Sequence, residues 1–175
     1  CKTGAYGSNT SICEDCGKLH IHHNSCRNRC CPMCQAIPKE IWMDSRREDV
    51  LDAPYFHLVF TVPDILNPVI LSNQALLYDA LYHAAHKTLT EMSENPKFLG
   101  ARIGYICVLH TWGSRMNYRP HLHTIVLGGG LDKKNQWVDK NRKMFFPLPI
   151  MEAIFRKNYL DELKTLRREE KLEYH

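Results

Sequence analysis

Two groups of side chains in this sequence could do chemistry: a crowd of thiols near one end and two imidazoles one residue apart. Seven of the eight cysteines fall in the first 34 residues, as Cys1, Cys13, Cys16, Cys26, Cys30, Cys31 and Cys34. Cys13-Glu-Asp-Cys16 and Cys31-Pro-Met-Cys34 have the spacing at which one turn points both thiolates at a single ion, and two such turns complete a tetrahedron around zinc. Cys1, Cys26 and Cys30 are left over, and His20, His22 and His23 lie between the pairs, so one or two structural Zn²⁺ ions fit and their ligand partition stays open. The opening Cys1-Lys2-Thr3-Gly4 has no apolar run behind it, which argues for metal rather than a secreted disulfide framework. Cys107 stands apart in an apolar run, where a buried thiol is expected.

The imidazoles are His121 and His123, separated by Leu122. Side chains alternate across a strand, so both rings leave one face while Leu122 enters the core. Two such rings can chelate one divalent cation. The preceding strand ends at His110, and an antiparallel hairpin would return that residue beside the pair as a third ligand. His57, on an earlier strand, is the rival. Three protein ligands with open positions suit a catalytic metal better than a closed structural one.

The elements that must position these groups follow from periodicity and punctuation. A helix is expected over 39–52 after Pro38, then a buried strand at Tyr55–Val62 ended by Pro63. A helix from about Ser72 to Ser93 carries Leu77, Leu81, Ala84, Ala85, Leu89 and Met92 as one stripe. Strands are expected at Arg102–Trp112 and His121–Leu127, joined by a polar turn, with Gly128-Gly129-Gly130 as a flexible exit. Lys143–Pro149 reads as a short fourth strand. A charged helix over Ile150–Lys171 turns Ile150, Ile154, Leu160, Leu163 and Leu166 inward. The expected class is α+β: a small zinc-ribbon-like module at 1–38, then at 39–175 an antiparallel sheet covered by helices.

Composition bounds the remainder. The 175 residues suffice for about one domain and a small appendage, and 44% hydrophobic with 24% charged residues is ordinary for a globular chain. Uncharged stretches fall short of the ~20 apolar residues that cross a bilayer, so no membrane partner is expected. The net charge of +4 is concentrated in residues 133–175, which hold eleven Lys and Arg against seven Asp and Glu. Lys133, Lys134, Lys140, Arg142 and Lys143 begin that excess, and Lys18, Arg27 and Arg29 protrude from the cysteine-rich segment. Both clusters could meet phosphates.

Four ordered segments then carry a family resemblance: Cys26-Arg-Asn-Arg-Cys30-Cys-Pro-Met-Cys34-Gln35, Pro54-Tyr-Phe-His-Leu-Val-Phe-Thr61, Leu109-His-Thr-Trp-Gly113, and Pro120-His-Leu-His123 through Gly130. Together they resemble the IS-ninety-one-type rolling-circle transposases of the His-hydrophobe-His endonuclease superfamily. The resemblance implies a zinc-binding transposase domain followed by a Rep-like nuclease core. It also implies Mg²⁺ or Mn²⁺ at the histidines, single-stranded transposon ends and target DNA as partners, and a bacterial, cytoplasmic, nucleoid-associated setting. The implied reaction is single-strand nicking and strand transfer through a 5′-phosphotyrosine. Two positions depart from the pattern: Cys30 stands where relatives usually have His, and Asn9 where they often have His. The family's nucleophilic tyrosine belongs to a motif expected beyond His175, with Tyr174 the nearest candidate by position. The competing readings are a non-catalytic zinc-ribbon DNA-binding module and a catalytically incomplete transposase fragment. A histidine-triad hydrolase would need a further His where Ile125 stands.

Overall fold

A computed structural model of the chain describes residues 1–139 and 146–173. It divides into two compact units, Cys1–Asp52 and Ala53–His175. In the first, β1 (Ser8–Ile12) and β2 (Leu19–His23) form an antiparallel hairpin that pairs Ser8 with His23 and Ile12 with Leu19. The amide of Gly17 closes its turn on the Cys13 carbonyl at 2.9 Å, with φ +67, a conformation that glycine adopts without steric cost. Helix α1 (Pro32–Arg47) follows.

The sequence suggests that this helix begins after Pro38, but Pro32 begins it, at the position where a missing N–H costs nothing. Pro38 lies inside, where its missing N–H leaves the Cys34 carbonyl without the usual helical partner. The first unit therefore extends beyond residue 38. None of its residues is buried.

The second unit has the expected α+β architecture. Its elements run β3 (Tyr55–Thr61), α2 (Asn67–Ser72), α3 (Gln74–Ser93), β4 (Arg102–Trp112), β5 (Tyr118–Leu131), β6 (Trp137–Asp139) and α4 (Leu148–Arg168). The antiparallel sheet has the order β3-β5-β4, with β6 also paired to β5. Helices α3 and α4 pack on each other, and α3 lies against β4 and β5. Leu58, Phe60, Leu122 and Val126 from the sheet meet Leu77, Leu81, Leu89 and Met92 of α3 in the core. On the other face Val59, Ile106, Val108 and Ile125 are 46% to 66% exposed. One side of the sheet is thus sealed by helices and the other is open.

Three expectations are corrected here. The glycines Gly128-Gly129-Gly130 do not release the chain; they are buried inside β5. A Cβ on Gly128 would come within 2.6 Å of Pro54 Cγ, and one on Gly130 would strike the Arg102 backbone, so close strand approach requires them. The fourth strand is Trp137–Asp139. Of the expected Lys143–Pro149 strand, residues 143–145 lie outside the described residues, and Leu148 and Pro149 open α4. On α4 the inward stripe runs through Met151, Ile154, Phe155, Tyr159, Leu163 and Leu166, which leaves Ile150 and Leu160 exposed a hundred-degree step to either side. Among the described residues no helix is long and apolar enough to cross a membrane.

Candidate metal centres

In the first unit the ligand atoms of Cys1, Cys26, Cys31 and Cys34 all lie within 4.8 Å of one another. The Cys1 and Cys34 sulfurs are 3.3 Å apart, and those of Cys26 and Cys34 3.7 Å. Spacing alone paired Cys31 and Cys34 with Cys13 and Cys16; the structure pairs them with Cys1 and Cys26 instead. The physical reason is the hairpin. Cys13 and Cys16 form its turn, bonded to each other through the Cys16 amide, which lowers the Cys13 thiol pKa. Cys31 caps α1, so its thiol and that of Cys34 project from the first helical turn. The backbone amide of Cys34 holds the Cys31 thiol down to about 7, despite an opposing desolvation effect. A thiolate so near neutrality is ready for a metal. Cys13, Cys16 and Cys30 belong to no ligand group of three or more among the described residues.

In the second unit His110, His121 and His123 form the other ligand group. The register explains it. His110 on β4 lies opposite His121 on β5, and Val108 lies opposite His123. Leu122 between the two histidines is fully buried on the helix side. The ring centroids of His110 and His123 are 4.4 Å apart, and those of His121 and His123 4.8 Å. His121 donates its Nδ1 hydrogen to the Arg119 carbonyl at 2.7 Å, which leaves a bare lone pair on Nε2. That Nε2 lies 3.0 Å from Nε2 of His123. Two nitrogens each ~2.1 Å from one cation and at right angles around it would be ~3.0 Å apart. The donor set therefore fits a divalent ion. Burial, then the neighbouring imidazoles His110, His121 and His57, lowers the His123 pKa, so its ring stays neutral and able to ligate.

These histidines line a pocket of about 380 Å³ with Val59, Thr61, Trp112, Ser114 and Arg119. Trp112, 51% exposed, stacks on His110 at 7° between ring planes. Arg119 and Thr61 also line an adjoining groove of about 780 Å³ that runs along β3 to Met151, Phe155 and Arg156 on α4. The sequence reading passes over Arg119 and Thr61, although alternation could have found both. Arg119 is two residues before His121 on the same face, and Thr61 pairs with His121 across the ladder.

Other candidates fall elsewhere. His57 stands outside the three-histidine group but hydrogen-bonds with His123. Tyr118 packs toward the helices, and its hydroxyl lies 2.8 Å from that of Tyr78. Burial raises its pKa. Cys107 is half-buried against the Thr124 hydroxyl at 3.2 Å, and burial raises its pKa. Arg27 and Arg29 are exposed in the first unit. Lys133 and Lys134 are exposed in the turn after β5, where eight residues of strand separate Leu131 from His123, about 27 Å. The structure thus does not bring them to the histidines. Arg142, Lys143 and Tyr174 lie outside the described residues.

A four-thiol cluster followed by an antiparallel sheet with a clustered His-Leu-His strand defines a metal-ligating element followed by an α+β core with a second ligand group. Residues 1–62 match the family model described as "Transposase zinc-binding domain", and residues 104–175 match the one described as "Putative transposase". "Putative transposase y4qJ" of Sinorhizobium fredii is 39% identical over 165 residues, covering 94% of this chain and 42% of that protein. "Transposase for insertion sequence element IS801" of Pseudomonas savastanoi pv. phaseolicola is 36% identical over 139 residues, covering 78% of this chain and 33% of that protein. The chain thus resembles IS-ninety-one-type transposases in both of its units and spans less than half the length of these relatives. Among solved structures, the copper-bound conjugative relaxase TrwC with OriT DNA superposes at a TM-score of 0.51 with 16% identity, over 70% of this chain and 46% of that one. The metal-free TrwC complex gives 0.51 with 18% identity, over 69% and 47%. That likeness is one of fold.

Proposed function

We propose that this chain supplies the zinc module and the cation-binding sheet of a DNA transposase that cuts one strand by transesterification. The observation that carries the reading is the pair of Nε2 atoms of His121 and His123, 3.0 Å apart beside His110 in an open pocket. Mg²⁺ or Mn²⁺ held by His110, His121 and His123 would polarise a non-bridging phosphate oxygen and offset charge in the transition state. Trp112 is placed to stack on a base of a single strand, and Arg119 to pair with a flanking phosphate. Arg27, Arg29, Lys133 and Lys134 would meet the DNA backbone further from the cut.

The attacking group is a tyrosine hydroxyl. Its oxygen forms the new bond to phosphorus, its proton is lost, and the 3′-oxygen departs and takes a proton. The product is a 5′-phosphotyrosine and a free 3′-hydroxyl, and the retained ester bond energy makes ATP unnecessary. By the family resemblance, that tyrosine would belong to a motif after the last helix. The partners are single-stranded transposon ends and target DNA in a bacterial cytoplasm, at the nucleoid. The relaxase neighbours were solved with OriT DNA, which supports DNA as the partner.

Incubating the gene-encoded protein with single-stranded transposon-end DNA and Mn²⁺ should leave a covalent adduct that survives denaturant. EDTA or His123→Ala should reduce its formation at least ~100-fold, the scale seen when one electrostatic stabiliser of a transition state is removed. Adduct formation untouched by either would refute the cation assignment. DNA binding with no adduct under any divalent cation would favour a non-catalytic zinc-ribbon module or an incomplete transposase.

A further inference from the structure

His57 sits on β3 opposite Ile125, two residues along β5 from His123, so its ring reaches diagonally across the ladder. Its Nε2 lies 2.7 Å from Nδ1 of His123, with the two ring planes 10° apart. It is exposed and lies outside the ligand group of His110, His121 and His123. A neutral imidazole has one N–H and one bare nitrogen, and the bond made by one nitrogen decides what the other offers. For His121 the Arg119 carbonyl settles this, because a carbonyl can only accept. Among the described residues the partner of His123 Nδ1 is instead His57.

We propose that His57 is a positioning residue: its Nε2 accepts the Nδ1 hydrogen of His123 and holds that ring in the tautomer whose Nε2 is bare toward the cation. The inference rests on the reading that His110, His121 and His123 hold a divalent ion. The protons balance within the pair. With His123 carrying hydrogen on Nδ1, His57 carries its own on Nδ1, and both rings remain neutral. In the opposite arrangement His57 donates from Nε2, and His123 donates from its own Nε2 to Nε2 of His121 at 3.0 Å. That arrangement occupies the nitrogen the cation needs. Conversion moves one hydrogen from His123 Nε2 to the exposed ring of His57 by way of solvent, while the shared hydrogen passes from His57 to His123. Neither ring can change tautomer without the other.

The test measures Mn²⁺ binding to the zinc-loaded protein from the electron paramagnetic resonance signal of free Mn²⁺, in wild type, His57→Ala, His57→Gln and His121→Ala. Removing the acceptor in His57→Ala should weaken binding about tenfold or more, the usual scale for losing the outer partner of a metal-bound histidine. His57→Gln, whose Oε1 can accept from His123 Nδ1, should stay within about threefold of wild type, because the acceptor is preserved. The visible spectrum of bound Co²⁺ should keep its shape in His57→Gln, reporting an unchanged ligand set. Equal affinity in wild type and His57→Ala would overturn the proposal. So would a His57→Gln variant as weak as His57→Ala with a changed Co²⁺ spectrum, which would make His57 a ligand. Failure of the underlying reading looks different: wild-type Mn²⁺ binding would be absent, or unmoved by His121→Ala.

Discussion

In Cys1–Asp52 no residue is buried, whereas in Ala53–His175 Leu81, Leu89, Leu122 and Val126 are at most 1% exposed. Each unit nevertheless gathers side chains that could ligate a metal from separate elements. In the first, Cys1 and Cys34 meet although a short 3-10 turn, a two-strand hairpin and the start of a helix separate them in sequence. In the second, His110, His121 and His123 are placed by a ladder whose reverse side is a packed core. On the proposed reading, the difference is one between two uses of ligation. Where apolar burial is missing, the metal must supply the folding free energy, so four donors close around it. Where a core already fixes the backbone, three donors would suffice for the proposed cation and leave its remaining positions open to substrate.

The largest effect should come from removing zinc. Chelation, or Cys34→Ser, should unfold the first unit and leave the second folded, since structural zinc in small modules carries about 10–16 kcal/mol of apparent binding energy. Limited trypsin digestion read by mass spectrometry would show rapid cutting at Lys18, Arg27 and Arg29, with the fragment from Ala53 onward protected. Protection of both parts after zinc loss would break the comparison, because the module would then have a source of stability that its exposed residues do not reveal.

Next comes the reverse experiment on the second unit. Leu122 is fully buried between the two histidines, and Leu122→Ala should cost about 2–5 kcal/mol through lost transfer energy and a residual cavity. Thermal denaturation would show a lower midpoint for this unit, while zinc content by elemental analysis would stay at the wild-type value. A drop in zinc content would mean that the two stabilities are not separate.

The same contrast sets how much could be read from the residues alone. Periodicity found α3 and β4 to the residue at their C-terminal ends, and alternation put His121 and His123 on one face with Leu122 on the other. A packed core makes such patterns obligatory. The thiol partition was not legible, because without a core nothing in local spacing distinguishes Cys13 from Cys1 as partner to Cys31. The choice depends on where a helix starts, and Pro32 rather than Pro38 decides that. The glycines of β5 misled for a related reason. Their role is to admit Pro54 and Arg102 at close range, and a strand's neighbours are not written in its own sequence. His57 was legible as a candidate but not in its role, since acceptor and ligand differ only in which nitrogen faces where.

The smallest expected effect is on pH, where both clusters fail in acid for different causes. Burial and the surrounding imidazoles hold His123 below the ordinary histidine value of ~6.5, so the folded ring gives up its proton more readily than the unfolded one. Between the two values the unfolded chain carries a proton that the folded chain lacks. Stability from this group is therefore complete above ~6.5 and declines as pH falls from there toward the folded value. In the first unit the thiolates are instead protected by their metal, and acid must displace the ion to protonate them. Ring-proton NMR of the zinc-loaded protein without added divalent cation should show His123 titrating below ~6.5, with no loss of zinc until lower pH. A midpoint at or above that value would mean that water and counter-ions screen the His110, His121 and His123 rings from one another. The open sheet face would then lack the low-dielectric character that lets a cation there act strongly on a phosphate.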